Sequence, residues 1–444
     1  MIDWLSYKYF VYVIGFAAQI LFSARLLLQW IQSEKVKKVL TPELFWQLSL
    51  MASFLLFIYG WLRDDFAIML GQSLTYFIYI RNMQLQGSWK KLPSILRGFL
   101  FGFPFLIAIY SFNNNQIDID ITSDMGKEYL TRILKTFSEN NIKMIRLDAA
   151  GYALKKAGTS CFMLDETFEF IDELSKTAND LGIETLVEIH SYYQTQIEIA
   201  KRVDRVYDFA LPPLVLHSIF SKDFTALTKW LKISPKNCIT VLDTHDGIGI
   251  IDVGPMNGKP GLLNNDEIDN LVETIHVNSK GESQKATGAA ASNVDLYQVN
   301  CTYYDALGQN DFDYLVARAI QFFSPGTPQV YYAGLLAEKN AMELLSKSNV
   351  GRDINRPYLD STNIEKALNK PFTKAMVSLI QLRNNCDAFN GEFTVNSDSS
   401  ALEMKWKKDE HSATLIVDLA NRSAQIQITE KNDTRIVCLN TLLN

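Results

Sequence analysis

Hydrophobic positions are distributed in two different ways along this chain, and the change falls near residue 113. Upstream, Leu, Ile, Phe and Tyr crowd four runs: Tyr9 to Ile31, Leu44 to Leu62, Phe66 to Ile80 and Ile95 to Phe112. The first two approach the roughly 20 residues that a spanning helix needs, the third reaches that length with the flank to Leu85, and the fourth is interrupted by Arg97 and Pro104. This predicts an all-α membrane domain of three to four helices over residues 1–112. Met1 to Lys8 holds an acid where a cleavable leader carries a basic start, and further apolar runs follow, which argues against a signal peptide.

From Asn113 onward, short β-branched runs alternate with amphipathic stretches, the pattern of a parallel sheet wrapped by helices. Strands are predicted at Lys143 to Asp148, Glu184 to His190, Val206 to Leu211, Cys238 to Asp243 and Gln329 to Tyr332. Helices are predicted at Lys127 to Glu139, Asp165 to Asp180, Asp223 to Lys232 and Tyr314 to Phe323. From about Ala401 to Cys438 the period drops to two (MKWKK, ATLIVDLA, AQIQIT), so a small antiparallel β domain over residues 386–444 closes the chain.

Loop charge gives the helical region an orientation. The first connection carries Lys35, Lys37 and Lys38, and the third carries Lys90, Lys91 and Arg97. In the second, Arg63 is cancelled by Asp64 and Asp65. The basic loops face the cytoplasm by the positive-inside rule. The expected location is a bacterial inner membrane, with membrane lipid as a partner. The soluble part is cytoplasmic if the fourth run lies along the interface and extracytoplasmic if it spans. Within the runs, Gln19, Arg25, Gln29 and Gln72 are polar where hydrocarbon penalises them and are expected to face other helices or a cavity. Two readings stand for them: a polar ligand or headgroup site, or snorkelling of Arg25 toward the basic loop with glutamines bonded between helices.

Composition narrows the function. A net charge of −6 over 444 residues gives no broad footprint for nucleic acid, so none is expected as a partner. Five cysteines without a CxxC pair suggest neither a zinc site nor a disulfide framework. His217 and His276 have no partner at metal-ligand spacing, and no metal is expected.

Three acids fall at the C-terminal ends of predicted strands: Asp148 after IRL, Glu188 after LV, and Asp246 just beyond VLDTH. Each alone would serve as a helix N-cap. Together they sit on the rim where a parallel βα barrel builds its active site. Retaining glycoside chemistry needs one ionised carboxylate as nucleophile and a second carboxyl as acid/base, roles that Asp148 and Glu188 can fill. Asp246 can stabilise the transition-state charge, and Arg146, on the same strand face as Asp148, can keep the nucleophile ionised.

These residues also carry two family resemblances. GFAAQILFSARLLLQWIQSEK (15–35), TPELFWQLSL (41–50) and LGQSLTYFIYIRNMQL (70–85) resemble the lipid-A biosynthesis N-terminal domain, a small helical membrane module. IRLDAAGY, LVEIH and VLDTHDG resemble three successive conserved regions of the α-amylase superfamily. KAGTSCFML, RVDRVYDFALPPLVLH, GESQKATGAAASNVDLYQVNCTYYDALG and NVGRDINR sharpen the second likeness to the sucrose phosphorylase subgroup, from about Asn115 to the C-terminus. That resemblance implies retaining transfer of glucose from sucrose to phosphate, with phosphate as co-substrate and no cofactor. It implies Asp148 as nucleophile, Glu188 as acid/base and Asp246 as stabiliser. Tyr152, His190 and His245 would line the glucose site, and Asp295, Tyr297, Gln298 and Arg352 would contact fructose or phosphate. Such a barrel has eight strands and only five are found, so the fold class is α/β, an incomplete (β/α)8 TIM-type barrel over residues 113–385. The alternative implied by the missing strands is a catalytically impaired relic or binding domain on a membrane protein. The oligomeric state is left open, a homo-oligomer included.

Overall fold

The computed structural model describes residues 4–63, 66–111, 119–287, 298–431 and 433–443. The chain divides into two compact units, Met1–Asp118 and Ile119–Asn444.

In the first unit, α1 (Trp4–Val36), α2 (Glu43–Leu62), α3 (Phe66–Leu85) and α4 (Ser94–Ser111) follow the four apolar runs. Among the described residues, two helical stretches are long and apolar enough to cross a membrane, Val11–Val36 and Glu43–Leu62. α3 has 20 residues and carries Arg81, Asn82 and Gln84 among its last five. Arg25 does not snorkel toward the basic loop. Its Nη1 donates to Ser49 Oγ on α2 at 2.8 Å and to Tyr79 Oη on α3 at 3.1 Å. Ser53 donates to Gln72 Oε1 at 2.9 Å, so Gln72 is also bonded between helices. Gln19, expected to face other helices, is exposed on α1.

The second unit opens with α5 (Asp124–Glu139), N-capped by the Ser123 side chain, which accepts from the Gly126 N–H. Then βα units repeat: β1 (Met144–Leu147), α6 (Asp165–Asp180), β2 (Glu184–Val187), α7 (Tyr193–Ala200), β3 (Arg205–Asp208), α8 (Leu211–Ser221), α9 (Thr225–Ile233) and β4 (Cys238–Thr240). After a two-residue ribbon, β5 (Ile248–Gly249) with β6 (Gln298–Val299), come α10 (Asn265–Asn278, between the two), α11 (Asp311–Phe323), β7 (Thr327–Pro328) and α12 (Pro371–Asn385). Strands β1, β2, β3, β4 and β7 form one five-stranded parallel sheet in that order, the expected part of a barrel.

All five strands end earlier than predicted, β1 at Leu147, β2 at Val187, β3 at Asp208, β4 at Thr240 and β7 at Pro328. β3 stops at Asp208 because its carboxylate accepts from the Leu211 N–H at 3.0 Å and starts α8, whose first turn holds Pro212 and Pro213. The strand expected at Gln329–Tyr332 is instead Thr327–Pro328. Gln329 N–H still donates to Thr240 O, but Tyr332 opens a short helix, Tyr332–Leu335. Pro328 cannot donate to a ladder and sits on an edge strand, where that costs nothing.

Five antiparallel strands, β8 (Glu392–Asp398), β9 (Ala401–Lys408), β10 (His411–Asp418), β11 (Ser423–Glu430) and β12 (Asp433–Cys438), form the predicted C-terminal sheet. Its inward residues Leu402, Met404, Leu415, Val417 and Ile426 share one core with α8, α9 and α11, and Trp406 donates to Phe323 O at 2.7 Å.

Candidate active site

Register brings the first two acids together. β1 pairs with β2 so that Leu147 faces Val187, and the Glu188 N–H continues the ladder to Leu147 O at 3.1 Å. Asp148 and Glu188, one step further on each strand, therefore emerge side by side at the C-terminal rim and share a hydrogen bond. Arg146 bridges both, with Nη2 at 3.2 Å from Asp148 Oδ1 and Nη1 at 3.2 Å from Glu188 Oε2.

The two carboxyls have different surroundings. The Glu188 side chain is 9% exposed and that of Asp148 74%. Burial, followed by the hydrogen bond to Asp148, pushes Glu188 up to about 7 despite Arg146. The hydrogen bond from Glu188, together with the Arg146 charge, holds Asp148 below the usual carboxylate value. One group is poised as an acid and the other as an anion.

Asp246 lies beyond β4, on a turn in which its N–H donates to Thr244 Oγ1 at 3.0 Å. Burial opposes its ionisation, but the hydrogen bond from Arg352 and the charges of His245, Arg352 and Arg356 outweigh it and hold the pKa low. Arg352 Nη1 donates to Asp246 Oδ1 at 2.6 Å, and Arg356 Nη2 donates to the same oxygen at 3.3 Å. Arg356 also grips the His245 carbonyl at 2.7 Å, and Asn355 the Asp246 carbonyl at 2.8 Å. His245 Nε2 stands 3.7 Å from Asp246 Oδ2, and burial and three arginines lower its pKa.

His190 is buried next to Glu188, its ring stacked on Phe209 with centroids 3.7 Å apart. Its Nδ1 lies 3.1 Å from Asp252 Oδ2. Burial disfavours the imidazolium, but the Asp252 carboxylate outweighs it and raises the pKa. Asp252 is itself fully buried and accepts from the Ser191 N–H and from Gln196 Nε2. Gly249 makes this approach possible, since a Cβ there would stand 2.4 Å from Asp252 Oδ2. Gln298 pairs with Gly249 across the β5–β6 ribbon and so reaches the same rim. Asp295 and Tyr297 lie outside the described residues. Tyr152 is half exposed on a turn and packs at a tilt against Phe162, ring centroids 4.7 Å apart; among the described residues no hydrogen bond joins it to the three carboxyls.

Sequence reasoning did not single out Asp252, Asn355 or Arg356. Asp252 had a signal: an acid in the apolar run IGIIDVG must find partners if it is buried. Arg356 follows Arg352 by four residues in NVGRDINR, a spacing that brings two guanidiniums to one face of a helical turn. Among the described residues, no group of three or more His, Cys, Asp or Glu is arranged to hold a metal ion.

Parallel strands that carry a carboxyl pair and a third, arginine-held acid on their C-terminal rim define an α-amylase-type barrel. Comparison with known proteins gives the family. The chain is 60% identical over 318 residues to the sucrose phosphorylase of Agrobacterium vitis, covering 71% of this chain and 65% of that protein. It is 52% identical to the sucrose phosphorylase of Bifidobacterium adolescentis, over 69% and 61% of the two chains. It is 38% identical to that of Streptococcus mutans, over 73% and 67%. The crystal structure of sucrose 6F-phosphate phosphorylase from Thermoanaerobacter thermosaccharolyticum superposes with a TM-score of 0.65 at 38% identity, covering 72% of this chain and 64% of that one. The chain belongs to the sucrose phosphorylase family, and it spans 61–65% of the length of the first two relatives. Residues 14–84 match a second family, the Lipid A Biosynthesis N-terminal domain.

Proposed function

We propose that the second unit transfers glucose from sucrose to phosphate with retention, releasing fructose and forming glucose 1-phosphate. The observation that carries this reading is the Asp148–Glu188 pair, one pKa lowered and the other raised to about 7 across a shared hydrogen bond. Glu188 gives its proton to the fructosyl oxygen while Asp148 attacks the anomeric carbon, forming a glycosyl-enzyme. Phosphate then attacks the same carbon and releases Asp148, and Glu188 takes up any proton the incoming phosphate brings. Asp246 faces the positive charge of the sugar in both steps. Arg146 keeps Asp148 ionised, and His190 and His245 line the glucose. Arg352, with Gln298 and the loop bearing Asp295 and Tyr297, meets fructose or phosphate. A phosphorylase must hold an anion where a hydrolase admits water, and the guanidiniums beside Asp246 suit that need. The chemistry runs on carboxyls and phosphate without a cofactor. The two apolar helices and the match of residues 14–84 support membrane anchoring.

The whole chain, assayed in membrane and soluble fractions, is expected to release glucose 1-phosphate from sucrose only when phosphate is present, and Asp148→Asn to abolish the release. A chain folded by circular dichroism and limited proteolysis yet inactive would leave a sugar-binding unit without turnover. The exposed Asp148 on an edge strand is the feature that would favour that second reading.

A further inference from the structure

We propose that Arg25, with Tyr79, binds the phosphate of a membrane phospholipid inside the helical unit. Three helices meet at the site. Ser49 lies six residues after the start of α2 and Tyr79 six before the end of α3, roughly 9 Å inside the same end of the unit at 1.5 Å per residue, and Arg25, eleven residues before the end of α1 at Val36, reaches both with its side chain. That end carries the basic residues Lys35, Lys37, Lys38, Lys90 and Lys91, and the Lys91–Glu43 ion pair at 2.9 Å marks its rim.

Counting donors shows what the site lacks. A guanidinium has five N–H groups and no acceptor. Nη1 uses its two on Ser49 Oγ and Tyr79 Oη, and the Ser49 hydroxyl spends its own proton on Phe45 O at 2.6 Å. The Nε–H is buried with no acceptor, and among the described residues neither Nη2 nor the Tyr79 hydroxyl proton meets one. Nor does any carboxylate among them pair with the cation within 4.0 Å. Instead the rings of Phe22, Phe45 and Tyr79 surround the guanidinium carbon at 4.6, 5.3 and 5.5 Å. Ring faces soften the charge but accept no conventional hydrogen bond from Nε. At hydrocarbon depth a charge persists with a partner, and the unspent donors call for a ligand that is anionic and accepts several hydrogen bonds, which a phosphate does. A phosphate here needs an apolar body to lie between the helices, and a phospholipid drawn in from the leaflet at the basic end supplies one.

The test uses the full chain purified in a neutral maltoside detergent. It is relipidated with vesicles of phosphatidylglycerol or with diacylglycerol of the same acyl chains, washed, and read by native mass spectrometry. The expected result is about one retained phosphatidylglycerol per chain, no retained diacylglycerol, and at least a tenfold loss of retention in Arg25→Gln at unchanged helicity. Retention by Arg25→Gln equal to that of the parent chain overturns the proposal, as does equal retention of diacylglycerol. Displacement of the lipid by millimolar inorganic phosphate would show that the site takes the free ion, and would overturn the lipid assignment. Should Arg25→Gln fail to fold, Tyr79→Phe keeps the charge and deletes one donor. Several-fold weaker retention in that variant supports the site, and unchanged retention overturns it.

Discussion

The two flanks of the carboxyl cluster are built differently. On the Asp246 side every group is held from behind: Arg352, Arg356 and Asn355 clamp the turn, and a fully buried Arg318 pairs with Asp243, three residues upstream, at 2.6 Å. On the Asp148 side the strand is an edge. Among the described residues β1 pairs only with β2, its own residues, Met144 included, are exposed or half-buried, and Met125, Tyr129 and Ile142, which precede it in the chain, are exposed apolar groups. Asp148 is steered chiefly by Glu188 and Arg146, with smaller contributions from the charges of Asp246 and His245. A complete barrel supports every rim residue from both sides; here the support is graded across five strands.

The largest effect should come from the well-built flank. Asp243→Ala leaves the Arg318 guanidinium, 0% exposed and bonded also to Tyr314 Oη and Gln321, without its counter-charge. Losing one partner of a buried pair costs about 3–5 kcal/mol. An unfolding free energy from urea titration that falls by less than a third of that would show the flank to be less rigid than its contacts suggest.

Asp246→Asn comes next. It withdraws the charge that two arginines share but keeps the backbone bonds to Asn355 and Arg356, so about 1–3 kcal/mol should be lost. Measured beside Arg356→Gln, the pair should be non-additive, because both changes remove one contact.

The rim was legible in the residues; the asymmetry of its two flanks was not. Three acids placed at three strand ends gave the rim, because parallel register converts a position after a strand into a position on one face, and the five strands counted are the five that pair. What the pattern could not give was anything set by loops that return from far along the chain. Arg352 and Arg356 reach Asp246 from more than a hundred residues away, and no periodicity encodes that return. Asp252 sits in an apolar run whose partner, His190, lies 62 residues upstream. The strand at Gln329–Tyr332 was displaced to Thr327–Pro328 for a related reason. Gln321 Nε2 captures both the Thr240 and the Gln329 carbonyls, a side-chain bond from α11 that fixes where the strand ends. Arg25 could be seen to be out of place in a spanning run, but only the packed helices showed which way it turns.

A smaller effect tests the electrostatics of the pair. Glu188 is raised from its ordinary value of 4.5 to about 7, so the folded state binds a proton that the unfolded state has released. Its contribution to stability is fully present below pH 4.5 and is lost as pH rises through about 7. Asp208, fully buried and also raised to about 7, adds a slope of the same sign. Stability of the parent chain should therefore fall between pH 5 and pH 7.5, and Glu188→Gln should remove part of that fall and leave the Asp208 part. An unchanged slope in the variant would mean that Arg146 and His190 already keep Glu188 ionised.

The smallest effect belongs to the open flank, and it is the most discriminating. Asp148→Asn should abolish turnover under the proposed mechanism and yet change folding stability by less than about 0.5 kcal/mol, because its side chain is 74% exposed and, among the described residues, its ion pair is with Arg146 and its hydrogen bond with Glu188. With the anion gone, Glu188 loses a negative neighbour that helped to raise its pKa, and that pKa should drop toward the ordinary carboxylate range. The same variant should thus flatten the pH slope as Glu188→Gln does. A destabilisation of 2 kcal/mol or more would instead place Asp148 in a packed environment, and the edge on which it stands would then be covered in solution.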